Sequence, residues 1–569
     1  DPQDLPRAVR CSTRGLGSGP PSASRLSGWN EGARAPTWAL PGERVRGDRG
    51  LQMTFRVITD AATDAELESR AHTIQAIFRD RIGSEAVIDD SIGMGLWLSS
   101  LPFNYHPIAD YTAQRSVRLL KSDLVHFLPV FDSYRGLPEK QSLFFSRENN
   151  LAWFALKGSG NSHHTAVIGD TGSAKSGLVI SLLLAEMRRD PKPVVFVIDR
   201  KTSYGMVSRV LNSELTTFER SRPIPFSPFN GECDDEKTAF LVHLLATAIK
   251  LTSVQFDLDS EHKTCLTEGI RRAYSTKAKE QGVRYETGDL VEQSSGISAN
   301  PVMLDDVIAQ LGALTGTPEF ESYGKQIEEI TKKLRPFYGD GIYAPLFRGT
   351  KAGGSTELKD LYVFDLDALT YDPILQTLVT MSVVDEIRRR IKQPEASKRG
   401  GYIVIEELGL LGRDNPVAKD FVVEAAETFR KLGFFLIGLT PNPRNYFDLA
   451  AGQAMWSVAD HNLFLMTKPD NVDVIAAKSD LLDEASTQIV KSLRTVPGKY
   501  SEFFYTNKTK SVSGAFRNIP SAFELWLMPT HAPDARAANE ALEKFDGDSL
   551  RALEWLERKY PSGTTETKA

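Results

Sequence analysis

The sequence predicts an α/β protein organised on a parallel sheet with helices on both faces, preceded by a small α+β unit. Three observations carry this prediction. First, an apolar β-branched run at 165–168 passes through a loop of small residues, 169–176, into a long apolar segment of helical character. Second, continuously apolar runs follow at 193–199 (PVVFVID), 361–366 (LYVFDL), 402–405 (YIVI), 434–439 (FFLIGL) and 462–466 (NLFLM). Such runs suit strands buried on both faces, and helical patterns at 374–392 and 417–432 lie between them. Third, the run at 402–405 ends in two adjacent acids, Glu406 and Glu407. Buried strands alternating with helices imply a parallel sheet.

In chain order, residues 1–52 stand apart. They are rich in Gly, Pro, Ser and Arg, contain no Lys, and carry eight Arg against five acids. The segment is expected to be disordered or not native coding sequence, the alternative being a basic arm that touches nucleic acid. Residues 53–156 read as the small α+β domain, with a strand near 54–59 and a helix over 65–82 whose apolar side is Leu67, Ala71, Ile74, Ile77 and Phe78. Further strands are expected at 95–99, 143–146 and 151–156. The α/β domain covers 157–233 and 340–520. It is interrupted at 234–339 by a helical insertion in which Phe240, Leu241, Leu244, Leu245, Ala248 and Ile249 recur at helical spacing. A polar linker at 288–300 breaks the insertion, and 521–569 read as a C-terminal helix and polar tail.

Composition narrows the function. The 569 residues can hold two or three cored domains, and 41% apolar with 25% charged residues is ordinary for a soluble globular protein. A net charge of −6 argues against a surface coated with phosphate-binding cations. Cys11, Cys233 and Cys265 are far apart, as expected of free thiols in a reducing compartment. No apolar run reaches the ~20 residues that span a bilayer. The protein is therefore expected to be cytoplasmic, reaching a membrane only through partners.

The chemistry concentrates at the loop. Strand, loop and helix follow the order of a P-loop, G-x-x-x-x-G-K-[ST], with Ala174 where the last glycine belongs. Gly169, Asp170, Thr171, Gly172, Ser173, Ala174, Lys175, Ser176 and Gly177 are the candidate ATP-binding residues. Backbone N–H groups would surround the phosphates, Lys175 would pair with the β/γ oxygens, and Ser176 would ligate Mg²⁺. The plainer reading is a Gly/Ser turn between a buried strand and a buried helix. Glu406 and Glu407 after a buried strand have the Walker B arrangement: the first acid holds Mg²⁺ and the second orients the attacking water. Glu406 stands where Asp is usual, and magnesium's octahedral demand makes the extra methylene consequential. Asp199, at a strand end beside the loop, is a candidate metal-site residue that would act from behind the direct ligands, or else the cap of the turn that follows. Arg430 is either a solvated helix-end cation or, in a ring, an arginine reaching a neighbour's γ-phosphate. Asp89–Asp90 read as a solvated turn, and His163–His164 lack further ligands at metal spacing.

The order of these residues resembles the large assembly ATPases of conjugative type IV secretion systems, of F-type and integrative-element conjugation. The matching stretches are NSHHTAVIGDTGSAKS, VVFVIDRKTSY, PFSPFN, KKLRPFYGDGIYAPLF, VFDLDAL, IVIEELGLL and FRKLGFFLIGLT, over roughly 90–515. The resemblance implies a RecA-like motor domain with an all-helical insertion, assembling as a homo-hexamer under a secretion channel. Its partners would be inner-membrane channel components and a coupling ATPase, with direct nucleic-acid contact left open. By position it implies Lys175, Ser176 and Glu407 at the nucleotide and Glu406 at the metal. The sequence departs from the family at Ala174, at Glu406 and at Thr440–Pro441, where Thr-Gln is usual, and its N-terminal domain is short. A left-handed backbone at Ala174 would cost ~1–2 kcal/mol. The expected function is an ATP-hydrolysing motor for assembly or substrate transfer. The alternatives are a nucleotide-binding scaffold with degraded hydrolysis and a DNA-pumping coupling ATPase of the same superfamily.

Overall fold

The computed structural model describes residues 8–12, 50–53, 55–59, 61–82, 85–89, 98, 117–120, 135–157, 163–200, 202–218, 226–230, 233–253, 255–280, 302–348, 358–411, 416–509, 512–529 and 532–564. The chain forms two compact units, Asp1–Asp132 and Ser133–Ala569.

In the first unit, strand β1 (Ala8–Ser12) lies between β3 (Phe55–Ile58) and β4 (Glu85–Asp89) in an antiparallel sheet, with Val9 opposite Val57 and Ile88. The expected absence of structure over 1–52 therefore does not hold for 8–12. That short stretch has neither Gly nor Pro, although the residues around it are rich in both. Strand β2 (Gly50–Met53) pairs with β5 (Val117–Leu120). Helix α1 (Asp64–Ile77) starts where the Thr63 hydroxyl accepts the Glu66 N–H, and it buries Leu67 and Ala71. Asp89 ends β4 rather than opening a turn. Asp90, the linker at 288–300 and, Leu98 apart, the strand expected at 95–99 lie outside the described residues.

The second unit is organised on one sheet. Its strands are β6 (Ser142–Ser146), β7 (Leu151–Phe154), β8 (Thr165–Ile168), β9 (Val194–Asp199), β10 (Ser213–Thr217), β11 (Leu361–Asp365), β12 (Gly401–Ile405), β13 (Phe434–Thr440), β14 (His461–Leu465), β15 (Thr495–Val496), β16 (Tyr500–Asn507) and β17 (Val512–Asn518). The order is β10-β11-β9-β12-β13-β8-β14-β16-β17-β6-β7, with β15 paired to β16. From β10 to β14 every pairing is parallel, and from β14 to β7 every pairing is antiparallel. The continuous apolar runs are the parallel strands, as both-face burial requires.

Alternate residues of each strand feed two cores. Ala166, Ile168, Phe196, Ile198, Ile403 and Ile405 face one side. That side is covered by helices α4 (Asp235–Thr252), α5 (Ser260–Glu280), α6 (Leu304–Leu314), α7 (Gly324–Lys333) and α8 (Pro373–Ile391). The apolar stripe expected at 240–249 is buried throughout. Val167, Val195, Val197 and Val404 face the other side, under α2 (Lys175–Glu186), α3 (Gly205–Val210) and the C-terminal helices α9 (Ala522–Leu527), α10 (Ala532–Lys544) and α11 (Ser549–Lys559).

Two expectations about organisation change. Strands β6 and β7, read from sequence as part of the N-terminal unit, extend the large sheet instead. Phe144 packs edge-on against Phe503 at 5.0 Å, and Phe154 against Tyr505 at 4.9 Å. The C-terminal segment, read from sequence as one helix and a polar tail, holds three helices (α9–α11) among its described residues, and Trp526, Ala541, Leu553 and Leu556 are buried in the core that holds the P-loop helix. Glu502 pins the antiparallel end. It is 4% exposed in its side chain and accepts from Arg147 at 2.8 Å and from Arg517 at 3.1 Å. Removing a buried carboxylate from between two arginines strands their charges, at a cost of ~2–3 kcal/mol here because both arginines keep some solvent. Glu502→Ala should lower the unfolding midpoint and speed amide exchange over 142–154. Unchanged exchange there would mean that the pair does not hold the hairpin.

Candidate functional site: a P-loop cleft at the sheet edge

Strand β8 delivers the loop to the C-terminal edge of the sheet, and its neighbours hold the loop in place. Gly169 N–H donates to Thr440 O at 3.3 Å, and Asp170 N–H to Met466 O at 2.9 Å. The Asp170 carboxylate accepts the Lys468 N–H at 2.8 Å, and the Thr495 hydroxyl donates to Ser173 O at 3.3 Å. A Cβ at Gly169 would come within 2.6 Å of Ser173 Oγ and 2.8 Å of Leu465 Cβ, so the close approach requires glycine. Gly172 has φ +83°. Ala174 is left-handed as well, with φ 66° and ψ 33°, immediately before α2 begins at Lys175. The strain that the sequence made conditional is therefore present.

Thr171, Gly172, Ala174, Lys175 and Ser176 line a cleft of about 750 Å³. Gly169, Asp170, Ser173 and Gly177 do not line it. Asp170 is committed to anchoring, Ser173 is fully buried, and Gly177 is buried facing Met528. Lys175 Nζ folds back onto the carbonyls of Gly169 at 2.6 Å and Asp170 at 2.9 Å.

Strand register supplies the opposite wall. Thr217, Asp365 and Asp199 are successive partners across β10, β11 and β9, while Ile405 pairs with Ile198 and so sets Glu406 beside Asp199. All four side chains line the cleft. Asp199 accepts the Tyr204 N–H at 3.1 Å, so it caps the following turn while also facing the acids. Burial raises the Asp365 pKa. Burial first, and then the neighbouring Asp199, push Glu406 up to about 7. Ser176 Oγ donates to Glu406 Oε2 at 2.9 Å, a contact between residues 230 positions apart. Glu406 Oε1 is buried and faces the Tyr204 hydroxyl, which interacts with the carboxylate without reaching hydrogen-bond geometry.

A magnesium ion fits this donor set, which is all oxygen, part carboxylate and part hydroxyl, with one carboxylate oxygen short of a hydrogen bond. Glu407 lies next along the wall, its Oε2 4.0 Å from Arg200 Nη1. Pro441 lines the cleft too. Arg430, exposed in the turn Phe429–Leu432, does not. His163 and His164 serve the sheet rather than a metal. His164 Nδ1 accepts the Leu436 N–H at 2.9 Å, and His163 packs on Phe435. Sequence reading assigned no role to Arg200, Arg209, Asp365 or the α10 residues Ala535, Ala538, Asn539 and Leu542, all of which line the cleft. For Arg200 a signal existed: it directly follows the acid at the end of a buried strand.

Two substitutions test these local costs. Ala174→Gly relieves ~1–2 kcal/mol of left-handed strain and gives back ~0.5–1 kcal/mol in unfolded-state entropy. It should therefore raise the urea midpoint by a small amount, and a lower midpoint would argue against strain at 174. Glu406 has a folded-state pKa of about 7 against an ordinary 4.5. The folded chain thus keeps its proton where the unfolded chain has lost it, and stability falls as pH rises through that window. Glu406→Gln should flatten the decline between pH 5 and 8 in magnesium-free buffer, and parallel wild-type and variant curves would contradict it.

Comparison with known proteins agrees with this geometry. Residues 155–432 match the TraG P-loop domain family. VirB4 of Thermoanaerobacter pseudethanolicus shares the fold. It aligns with a TM-score of 0.53 over 68% of this chain and 99% of its own, at 17% identity. The plasmid coupling protein TrwB, solved with the GTP analogue GDPNP, aligns over 68% of this chain and 96% of its own at 12% identity. Its TM-score is 0.40. No curated protein matches the sequence. Residues 155–432 thus match the P-loop domain of the TraG family, set in a sheet that shares the VirB4 fold.

Proposed function

We propose that the protein is an ATP-hydrolysing motor that energises pilus or channel assembly, or substrate transfer, in a conjugative type IV secretion system. The observation that carries this reading is the hydrogen bond from Ser176 to Glu406, which joins the P-loop to the tandem acids at one cleft. Lys175 would leave the Gly169 and Asp170 carbonyls for the β/γ-phosphate oxygens, and the N-terminal amides of α2 would face the same charge. Ser176 and Glu406 would hold magnesium, with Asp199 behind them. The ion would supply charge neutralisation at the β- and γ-phosphates. Glu407 would accept a proton from water as the water oxygen bonds to the γ-phosphorus and the bond to the ADP oxygen breaks.

No described helix is long and apolar enough to cross a membrane. Attachment to an inner-membrane channel through partners, beside a coupling ATPase, belongs to the same proposal. So does assembly as a homo-hexamer, for which the exposed Arg430, lying off its own cleft, is suited to reach a neighbour's nucleotide. A second reading, nucleotide binding for assembly with degraded turnover, draws on the strained Ala174 and on Pro441 in the cleft wall.

Steady-state ATP hydrolysis and nucleotide binding by the full chain, across a range of protein concentration, separate the two. Lys175→Ala should lose both. Glu407→Gln should keep binding and lose turnover by at least 100-fold, a scale set by groups that act only in the transition state. Binding without Lys175-dependent turnover would favour the scaffold, and turnover rising cooperatively with concentration would support the ring.

A further inference from the structure

A polar arrangement beside Glu407 has no role in the reading above. Thr440, the last residue of β13, is fully buried. Its hydroxyl accepts Asn445 Nδ2–H at 2.9 Å and the Asn442 N–H at 3.2 Å. Asn445 sits in the helical turn Arg444–Phe447, directly after Pro443, and its own N–H donates to Asn442 O at 3.0 Å. The turn therefore fixes the amide at both its backbone and its side chain. A carboxamide nitrogen carries two protons, and Thr440 takes one.

Gly409 shows where the other is available. A Cβ on Gly409 would lie 2.9 Å from Asn445 Nδ2 and 3.6 Å from Glu407 Oε1. Amide and carboxylate thus flank the same small space, and only a glycine two residues beyond Glu407 leaves it open. The other carboxylate oxygen, Oε2, faces Arg200 across the cleft.

We propose that Asn445 is a positioning residue for hydrolysis. Anchored by Thr440, it offers its second amide proton to Glu407 Oε1 and so holds the carboxylate in the orientation from which Oε2 meets the attacking water. Gly409 is part of the device, since a methyl group there would wedge the amide away. The inference rests on the reading of Glu407 given above.

The test compares the full chain with Asn445→Ala, Asn445→Asp, Gly409→Ala, Glu407→Gln and the double variant Glu407→Gln/Asn445→Ala. Single-turnover and steady-state hydrolysis are measured beside the Kd for a non-hydrolysable ATP analogue. Asn445→Ala and Gly409→Ala should lower kcat at least tenfold, with Kd within twofold of wild type. Asn445→Asp, which keeps the shape but replaces the donor with a charge, should be at least as slow. The double variant should be no slower than Glu407→Gln alone, because residues acting as a unit are not additive. Wild-type kcat in Asn445→Ala, a weakened Kd with kcat intact, or a double variant slower than Glu407→Gln would each overturn the proposal. If Glu407→Gln itself turns over normally, the underlying reading of Glu407 fails. If Glu407→Gln is inactive while Asn445→Ala is not, only the role of Asn445 fails.

Discussion

The cleft depends on one constraint, the register of the seven parallel strands from β10 to β14. Side chains alternate along a strand, so a slip of one residue would turn every carboxylate of the wall into the opposite core. With Asp365 level with Asp199 and Ile405 level with Ile198, three strand ends present acids in one row. The order β12-β13-β8 then matters as much as the register. The acid-bearing strand and the P-loop strand are not neighbours; β13 separates them, and the space above its end is the crevice. Ser176 and Glu406 meet across that space, and Thr440 and Pro441 lie at its foot. Ligands of open α/β sheets bind outside the carboxyl ends of the strands for this geometric reason.

Within the rigid edge the chain holds groups that are locally unfavourable. Ala174 carries a left-handed backbone, and Glu406 is a buried carboxyl beside another acid. Such features persist only where the surroundings over-determine them. Here the loop is tied to β13, β14 and the 468–471 turn, and two full cores sit above and below the sheet. A cation would give Glu406 Oε1 a better partner. That cost lies where a ligand would remove it.

What was legible in the sequence was local. The P-loop, the tandem glutamates, the buried strands and the apolar stripe of α4 are each written within about 20 contiguous residues, as periodicity or spacing. What was not legible needed pairing across the chain. The hairpin β6–β7 has the same alternation whichever sheet it joins, and its partner β17 lies more than 350 residues later. The short strand β1 was hidden because composition is averaged over a window and five residues barely change the average. The C-terminal helices announced themselves as helices, but that α10 would wall the P-loop cleft could not be read from its own residues. Ala174 is an intermediate case: the sequence exposed the departure from glycine, and only the backbone angle decided whether it mattered.

The charge inside the cleft bears on what can enter it. Four carboxylates line it, Asp199, Asp365, Glu406 and Glu407, against three cations, Lys175, Arg200 and Arg209. A free nucleoside triphosphate would bring several negative charges into a space whose own formal balance is already negative, and at reduced dielectric that repulsion is strong. A divalent cation changes the sign of the encounter, because the acids that repel the bare nucleotide attract the ion it carries. The proton that burial keeps on Glu406 near neutrality moderates the repulsion before binding, and ionisation of the same group strengthens its hold on a cation. Arg200 lies beside Glu407 in the same cleft, whereas Arg430 is exposed and lies off it. The cleft is thus suited to a metal–nucleotide complex rather than to a bare phosphate chain. That preference would follow from the excess of acids on the wall as much as from the P-loop.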